Sequence, residues 1–214
     1  MNKMVITIIE CSFGNIFSLK QAFKYWGIKV SITQDKKNIL NSDKVVLPGV
    51  GAFGDAITEI RNNGLFDTIL EFSGKKKPLL GICVGMQLLF DTGNEHGSFK
   101  GLGLLKGHVE QIPKKTKEGK KIRLPHIGWE SLRKPENIDW NKTLLANIGR
   151  NKAVYFAHSF HATSTDAKAV ISNIKVGGHN IAAVVQKNHI MGSQFHPEKS
   201  GQTGLKIIKN FIDM

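Results

Sequence analysis

The chain has 214 residues, of which 41% are hydrophobic and 22% charged, enough apolar side chains for one sizeable core and too many for a chain disordered in the main. No apolar run approaches the roughly 18 residues of a membrane span, and the first one, residues 5–9, stops at Glu10, short of the roughly 7–15 residues of a signal-peptide core, so a cytoplasmic protein with no membrane partner is expected. The net charge of +13 would suit a nucleic acid, but only four of the thirty basic residues are Arg (Arg61, Arg123, Arg133, Arg150), the side chain favoured for bidentate reading of phosphate and guanine; a lysine-rich solvated surface is the expectation.

In chain order, the first third alternates strand and helix. Residues 5–10 are an apolar run, the pattern of a strand covered on both faces. Gly14-Asn15 breaks it. Ile16, Leu19, Ala22, Phe23 and Trp26 then recur at helical spacing, with Asn15 expected as the N-cap and Gly27 as the stop. Residues 28–33 and 45–47 read as the next strands. Pro48-Gly49-Val50-Gly51 is a turn, followed by a helix with Phe53, Ile57 and Ile60 on one face and Gly64 past its end; a short helix covers 65–72. Residues 78–82 read as a buried strand ending at Cys83, and a helix is predicted over 85–90. This repetition predicts an α/β fold, a mostly parallel central sheet flanked by helices. The second half adds shorter strand signals at 109–112, 122–125, 153–158, 169–174, 181–186 and 190–195, with Gly177-Gly178 turning between two of them, so additional antiparallel strands are expected there. The lysine-rich run 114–121 reads as a solvated loop or hairpin tip. A final helix over 201–213 turns Leu205, Ile208, Phe211 and Ile212 inward. No internal repeat and no long linker divides the chain, so one domain over residues 1–214 is expected.

Three segments carry candidate chemistry. Gly81-Ile82-Cys83-Val84-Gly85 places a Cys between glycines at a strand end, the shape of a nucleophile elbow: small neighbours permit the sharp turn, and the helix that follows would stabilise a thiolate and offer an N–H to an oxyanion. Gln194-Phe195-His196-Pro197-Glu198 ends another strand in an imidazole with a carboxylate two residues on, the pieces of a proton-transferring base and its orienting acceptor. Gly49-Val50-Gly51 ends a third strand and has the freedom to aim a backbone N–H as a second oxyanion donor. Ligands bind at the carboxyl edge of such sheets, so the three segments reinforce one another. The other thiol, Cys11, has no such context, and no disulfide framework or metal site is expected.

Taken together these residues resemble the class I (triad-type) glutamine amidotransferases, a flavodoxin-like fold. More narrowly they are similar to the glutaminase (HisH-type) subunits of imidazole glycerol phosphate synthase. The resemblance covers nearly the whole chain, through Gly14-Asn15, the run from Leu47 to Asp55, the run from Gly81 to Phe90, Gly101-Leu102-Gly103, Pro125-His126-Ile127-Gly128-Trp129, the run from Tyr155 to Phe160, and the run from Gln194 to Gly201. It implies a catalytic triad of Cys83, His196 and Glu198, an oxyanion hole from the N–H groups of Val50 and Val84, and a glutamine site of Gly51, Gln87, Glu95, His158, Ser159 and Phe160. It also implies no cofactor, release of ammonia to a (β/α)8-barrel cyclase (HisF-type) partner in a heterodimer, and Trp129, Tyr155 and Lys199 near that partner's surface. Two departures stand out: Glu10-Cys11-Ser12-Phe13 replaces the family's usual Asp-Tyr-Gly-x, and His161 follows the His158-Ser159-Phe160 stretch. Supply of ammonia for amidination of a bacterial surface sugar, a cysteine peptidase-like hydrolase and a nucleic-acid-binding module are the other readings.

Overall fold

A computed structural model of the chain describes residues 4–12 and 14–214; Phe13, part of the departing motif, lies outside them. The first half runs β1 (Ile6–Ile9), α1 (Ile16–Tyr25), β2 (Ser31–Thr33), α2 (Lys36–Asn41), β3 (Lys44–Leu47), α3 (Phe53–Asn62), α4 (Leu65–Gly74), β4 (Leu79–Ile82) and α5 (Val84–Gln87). It continues through β5 (Phe90–Gly93), β6 (Phe99–Lys100), β7 (Leu105–Gln111), β8 (His126–Ser131), β9 (Ala153–His158) and β10 (Phe160–Ser164). The chain closes with β11 (Val170–Val176), β12 (His179–Lys187), β13 (Ile190–Ser193) and α6 (Gly201–Asp213).

Seven strands form the main sheet in the order β11-β12-β13-β4-β3-β1-β2. From β13 to β2 every pairing is parallel, and β12 and β11 extend the sheet antiparallel. All four residues of each of β1, β3, β4 and β13 are buried, so side chains of both faces are covered, which is why these strands read as mainly apolar runs, with Thr7, Lys44 and Ser193 buried among them. A second sheet has the order β10-β7-β5-β6, and β8 and β9 form a separate two-stranded ribbon. In the core, Phe23 of α1 meets Phe211 of α6 edge-on at 6.4 Å, joining the first and last helices of the chain, and Phe156 of β9 meets Phe195 at 5.6 Å. No helix of the described residues is long and apolar enough to cross a membrane.

The expected alternation, the parallel sheet and the added antiparallel strands are all present. Gly27 ends α1 in the left-handed region at φ +73°. Strands β6 and β10 lie outside the expected segments, and the details differ in four further places. The helix after Cys83 stops at Gln87, because Leu88, Leu89 and Phe90 are all fully buried; three consecutive inward side chains do not fit one helical stripe, and the backbone turns to give Phe90 to β5. Residues 122–125 are not a strand: the Ile122 N–H closes the 114–121 hairpin on the Lys114 carbonyl, and the extended segment starts at His126. Asn15 occupies the cap position of α1 without a side-chain capping bond. The helix α2 was not expected; it buries only Ile39, too little for a periodic signal, and Asp35 caps it by accepting the Asn38 N–H at 2.8 Å.

Candidate active site

Three neighbouring strands of the main sheet, β3, β4 and β13, end side by side, and each continues into one of the segments singled out above. After β4, Cys83 adopts φ +54° and ψ −112°, a conformation that costs a residue with a Cβ about 1–3 kcal/mol. The turn is over-determined. The Cys83 N–H donates to the Ser193 carbonyl at 2.8 Å, the Gln87 N–H to the Cys83 carbonyl at 3.2 Å and the Val84 N–H to the Gly49 carbonyl at 3.3 Å. A methyl group on Gly81 would lie 2.5 Å from the Gly85 carbonyl oxygen, and one on Gly85 would collide with the Leu47 carbonyl, so both flanking positions exclude side chains. The α5 helix that follows is one turn long, so the expected help of a helix dipole to a thiolate shrinks to a few aligned peptides.

After β13 the chain delivers His196 to the same place. The His196 N–H donates to the Tyr155 carbonyl at 3.1 Å; the Ser200 hydroxyl donates to the His196 carbonyl at 2.6 Å and accepts the Tyr155 N–H at 2.9 Å. Strand β9 therefore fixes the backbone that carries the imidazole. His196 Nδ1 donates to Glu198 Oε1 at 2.8 Å, with both side chains at most 5% exposed. Because Nδ1 carries that hydrogen, Nε2 is the atom left to exchange a proton with Cys83. Burial disfavours the imidazolium, but hydrogen bonds and opposite charge from Cys83 and Glu198 outweigh it and raise its pKa to about 10.

Cys83, Val84 and His196 line a cavity of about 310 Å³ together with Val50, Gly51, Gln87, Glu95, Pro125, Ala157, His158, Ser159, Phe160 and Lys199. The structure thus gathers there every expected glutamine-site residue, both expected oxyanion residues, and Lys199. Glu198 stands behind His196, outside the cavity wall. Trp129 and Tyr155 lie outside it too, with their rings 6.0 Å apart on the β8–β9 ribbon and Trp129 56% exposed. A larger concavity, about 490 Å³, is lined by Arg133, Lys134, Trp140 and Arg150 among others; it has neither thiol nor imidazole in its wall.

Inside the cavity the polar groups are largely pinned. Glu95 Oε2 accepts the Phe53 N–H at 2.8 Å, tying the carboxylate to the first turn of α3. His158 Nδ1 donates to the Phe160 carbonyl at 2.8 Å, and burial lowers its pKa to about 4, so this imidazole is neutral at physiological pH. The expected oxyanion donors are not both free: the Gly49 carbonyl occupies the Val84 N–H. Half a turn of the Gly49–Val50 peptide would release that N–H and swing the Val50 N–H toward it. One residue escaped the sequence reading. Gln194, fully buried, donates from Nε2 to Cys83 Sγ at 3.8 Å. Spacing did not announce it: Gln194 and His196 both lie past the end of β13 at Ser193, where strand alternation no longer applies.

Cys11 does not line this cavity. It is 4% exposed, and burial first, then Glu59 and Glu10, push its thiol up to about 12. Next to it, Ser12 donates through both N–H and hydroxyl to Glu59 Oε1, at 2.9 and 2.7 Å. His161, the second departure, is buried on β10 with Nε2 4.0 Å from Glu110, and burial lowers its pKa.

Residues 7–214 match the glutamine amidotransferase class-I family. A protein of Caldanaerobacter subterraneus subsp. tengcongensis named imidazole glycerol phosphate synthase subunit HisH is 42% identical over 210 residues, covering 98% of both chains. A protein of Legionella pneumophila (strain Lens), named imidazole glycerol phosphate synthase subunit HisH 1, is 38% identical over 210 residues, covering 98% of this chain and 99% of that one. Among solved structures, one described as a glutamine amidotransferase superposes with a TM-score of 0.71 at 18% identity over 97% of each chain, a likeness of fold.

Proposed function

The chain belongs to the class-I glutamine amidotransferase family, and on that premise we propose that it is the glutaminase subunit of an imidazole glycerol phosphate synthase, an enzyme of histidine biosynthesis that hydrolyses L-glutamine and passes the ammonia to a (β/α)8-barrel (HisF-type) partner. The observation that carries the chemistry is the convergence of Cys83, His196 and Glu198 from adjacent strand ends, with His196 Nδ1 2.8 Å from Glu198 Oε1. In this reading the Cys83 thiolate attacks the carboxamide carbon of glutamine, and the carbonyl oxygen becomes an oxyanion. His196 then delivers its Nε2 proton to the departing nitrogen, so ammonia leaves and a thioester remains. Water adds to the thioester with His196 taking its proton, and the tetrahedral intermediate collapses to glutamate and the regenerated thiolate. Glu198 keeps the imidazole in the required tautomer and stabilises its charged form. Gly51, Gln87, Glu95, His158, Ser159 and Phe160 hold the amino-acid part of the substrate.

The oxyanion requires two N–H groups, and the Gly49 carbonyl engages one of them. Docking of the partner near Trp129, Tyr155 and Lys199 turns the Gly49–Val50 peptide in this reading and switches hydrolysis on. Losing one such donor costs about 10²–10³ in kcat, so the isolated subunit is expected to hydrolyse glutamine at least about a hundredfold more slowly than the complex. Equal rates would remove the switch from the mechanism. His196→Ala should cost about 10²–10⁴ in kcat and Glu198→Gln less, because the imidazole moves the proton while the carboxylate orients it and stabilises its charged form. The whole reading is tested with a complex carrying Cys83→Ala. It should make no product from glutamine and full product from added ammonium at raised pH; loss of both, with the complex intact, would place Cys83 in the acceptor reaction.

A further inference from the structure

A thiolate at Cys83 needs more than His196, since the helix after it is a single turn. The hydrogen bonds around the sulfur show where further help comes from. Phe160 presents a carbonyl oxygen, which can only accept. It receives His158 Nδ1 at 2.8 Å and Gln87 Nε2 at 3.0 Å. Gln87 must therefore turn its NH2 end toward Phe160, and the same nitrogen donates to Gln194 Oε1 at 3.1 Å. With its oxygen held by that donor, the Gln194 carboxamide has its nitrogen toward Cys83 Sγ, at 3.8 Å. An amide alone is ambiguous between its two ends; here an acceptor-only carbonyl two links away removes the ambiguity. Gln194 is 0% exposed and does not line the cavity, so water does not compete for its amide. The opposite orientation would aim the Gln194 oxygen at the sulfur and repel a thiolate.

We infer that Gln194 stabilises the Cys83 thiolate by a hydrogen bond to Sγ, and that Gln87, anchored on the Phe160 carbonyl, sets the direction of that bond. The inference rests on the reading of Cys83 as the nucleophile. It makes Gln194 a catalytic residue in contact with the reacting atom, and gives Gln87 a positioning role besides holding substrate. It also explains how the thiolate is held in the absence of glutamine, before any oxyanion exists.

The test is the pH dependence of Cys83 alkylation by iodoacetamide on the full chain without glutamine, with the labelled site read by mass spectrometry. Wild type should label at Cys83; labelling elsewhere alone would overturn the nucleophile reading and this inference with it. Given Cys83 labelling, Gln194→Met should move the midpoint up by about one pH unit, a tenfold smaller thiolate fraction below the midpoint. Gln194→Glu should move it further, by adding a negative charge. Gln87→Met, which leaves Gln194 in place but frees its amide to rotate, should move it in the same direction by less. A folded Gln194→Met protein that labels at Cys83 with an unchanged midpoint would overturn the inference while leaving Cys83 as the nucleophile. If Gln194→Met does not fold, an unchanged midpoint in Gln87→Met overturns it equally. A role in packing alone would alter stability without moving the midpoint.

Discussion

Two thiols of similar burial have opposite prospects because of their neighbours. Cys11 faces Glu59 and Glu10, and its thiol is pushed up to about 12, whereas Cys83 faces an imidazolium and an amide N–H. A glutamine-like electrophile should modify Cys83 and leave Cys11 unmodified at neutral pH; a mass shift on the peptide that carries Cys11 would contradict this assignment. His158 supplies a second residue-level expectation. Its pKa falls from the ordinary 6.5 to about 4 through burial, so the unfolded chain binds a proton that the folded one refuses between those values. Stability is therefore lost as pH drops from about 6.5 toward 4, by about 3 kcal/mol in all from this group. In His158→Gln the acid limb of a stability–pH profile from urea titrations should flatten over that window; an unchanged limb would mean that other groups govern it. These residue identities were legible in the sequence because each lay in a motif beside a strand end. The Gly49 carbonyl on the Val84 N–H was not, since a peptide orientation has no side chain to announce it. Gln194 was not, because it lies past the end of β13, where no periodicity marks it.

At the level of elements, the elbow depends on close approach more than on propensity. Strand β3 ends against α5 with Gly85 at the contact, where the Leu47 carbonyl leaves no room for a Cβ. Gly85→Ala should destabilise the fold by about 1–3 kcal/mol, the range for overpacking, and also displace Cys83. The denaturant midpoint should fall at unchanged slope, together with a loss of Cys83 reactivity; a protein with wild-type values of both would show that the packing relaxes without consequence. Why the element reading faltered around this site has the same origin. The pattern of residues 85–90 is helical by composition, but three consecutive buried side chains force the chain out of the helix and into the second sheet. The failure at residues 122–125 is different: apolar character there serves the closure of a lysine-rich hairpin whose tip docks on the Gly177-Gly178 turn through the Lys117 N–H. Strands of the central sheet were read well because burial on both faces leaves a mainly apolar trace.

Across the whole molecule, the site of chemistry sits at the middle strands of the main sheet. The strands that lead to Gly49, Cys83 and His196 are the middle three in a seven-stranded sheet, with β12 and β11 beyond them on one side and β1 and β2 on the other. Opening any of the three requires parting neighbours that are themselves buried. Edge strand β2 is three residues long and only half-buried, and residues 132–152 form a long connection with mostly exposed side chains, so local opening belongs there. The amide hydrogen of Cys83, which donates to Ser193, should exchange with deuterium only through global unfolding, at a free energy equal to that from denaturant titration. Amides of residues 132–152 should exchange by smaller, local events; faster exchange at Cys83 than at those positions would refute the ordering. The arrangement gives the reactive geometry the lifetime of the native state itself, so heating should abolish the selectivity of alkylation for Cys83 over Cys11 and the near-ultraviolet signature of the core in one transition.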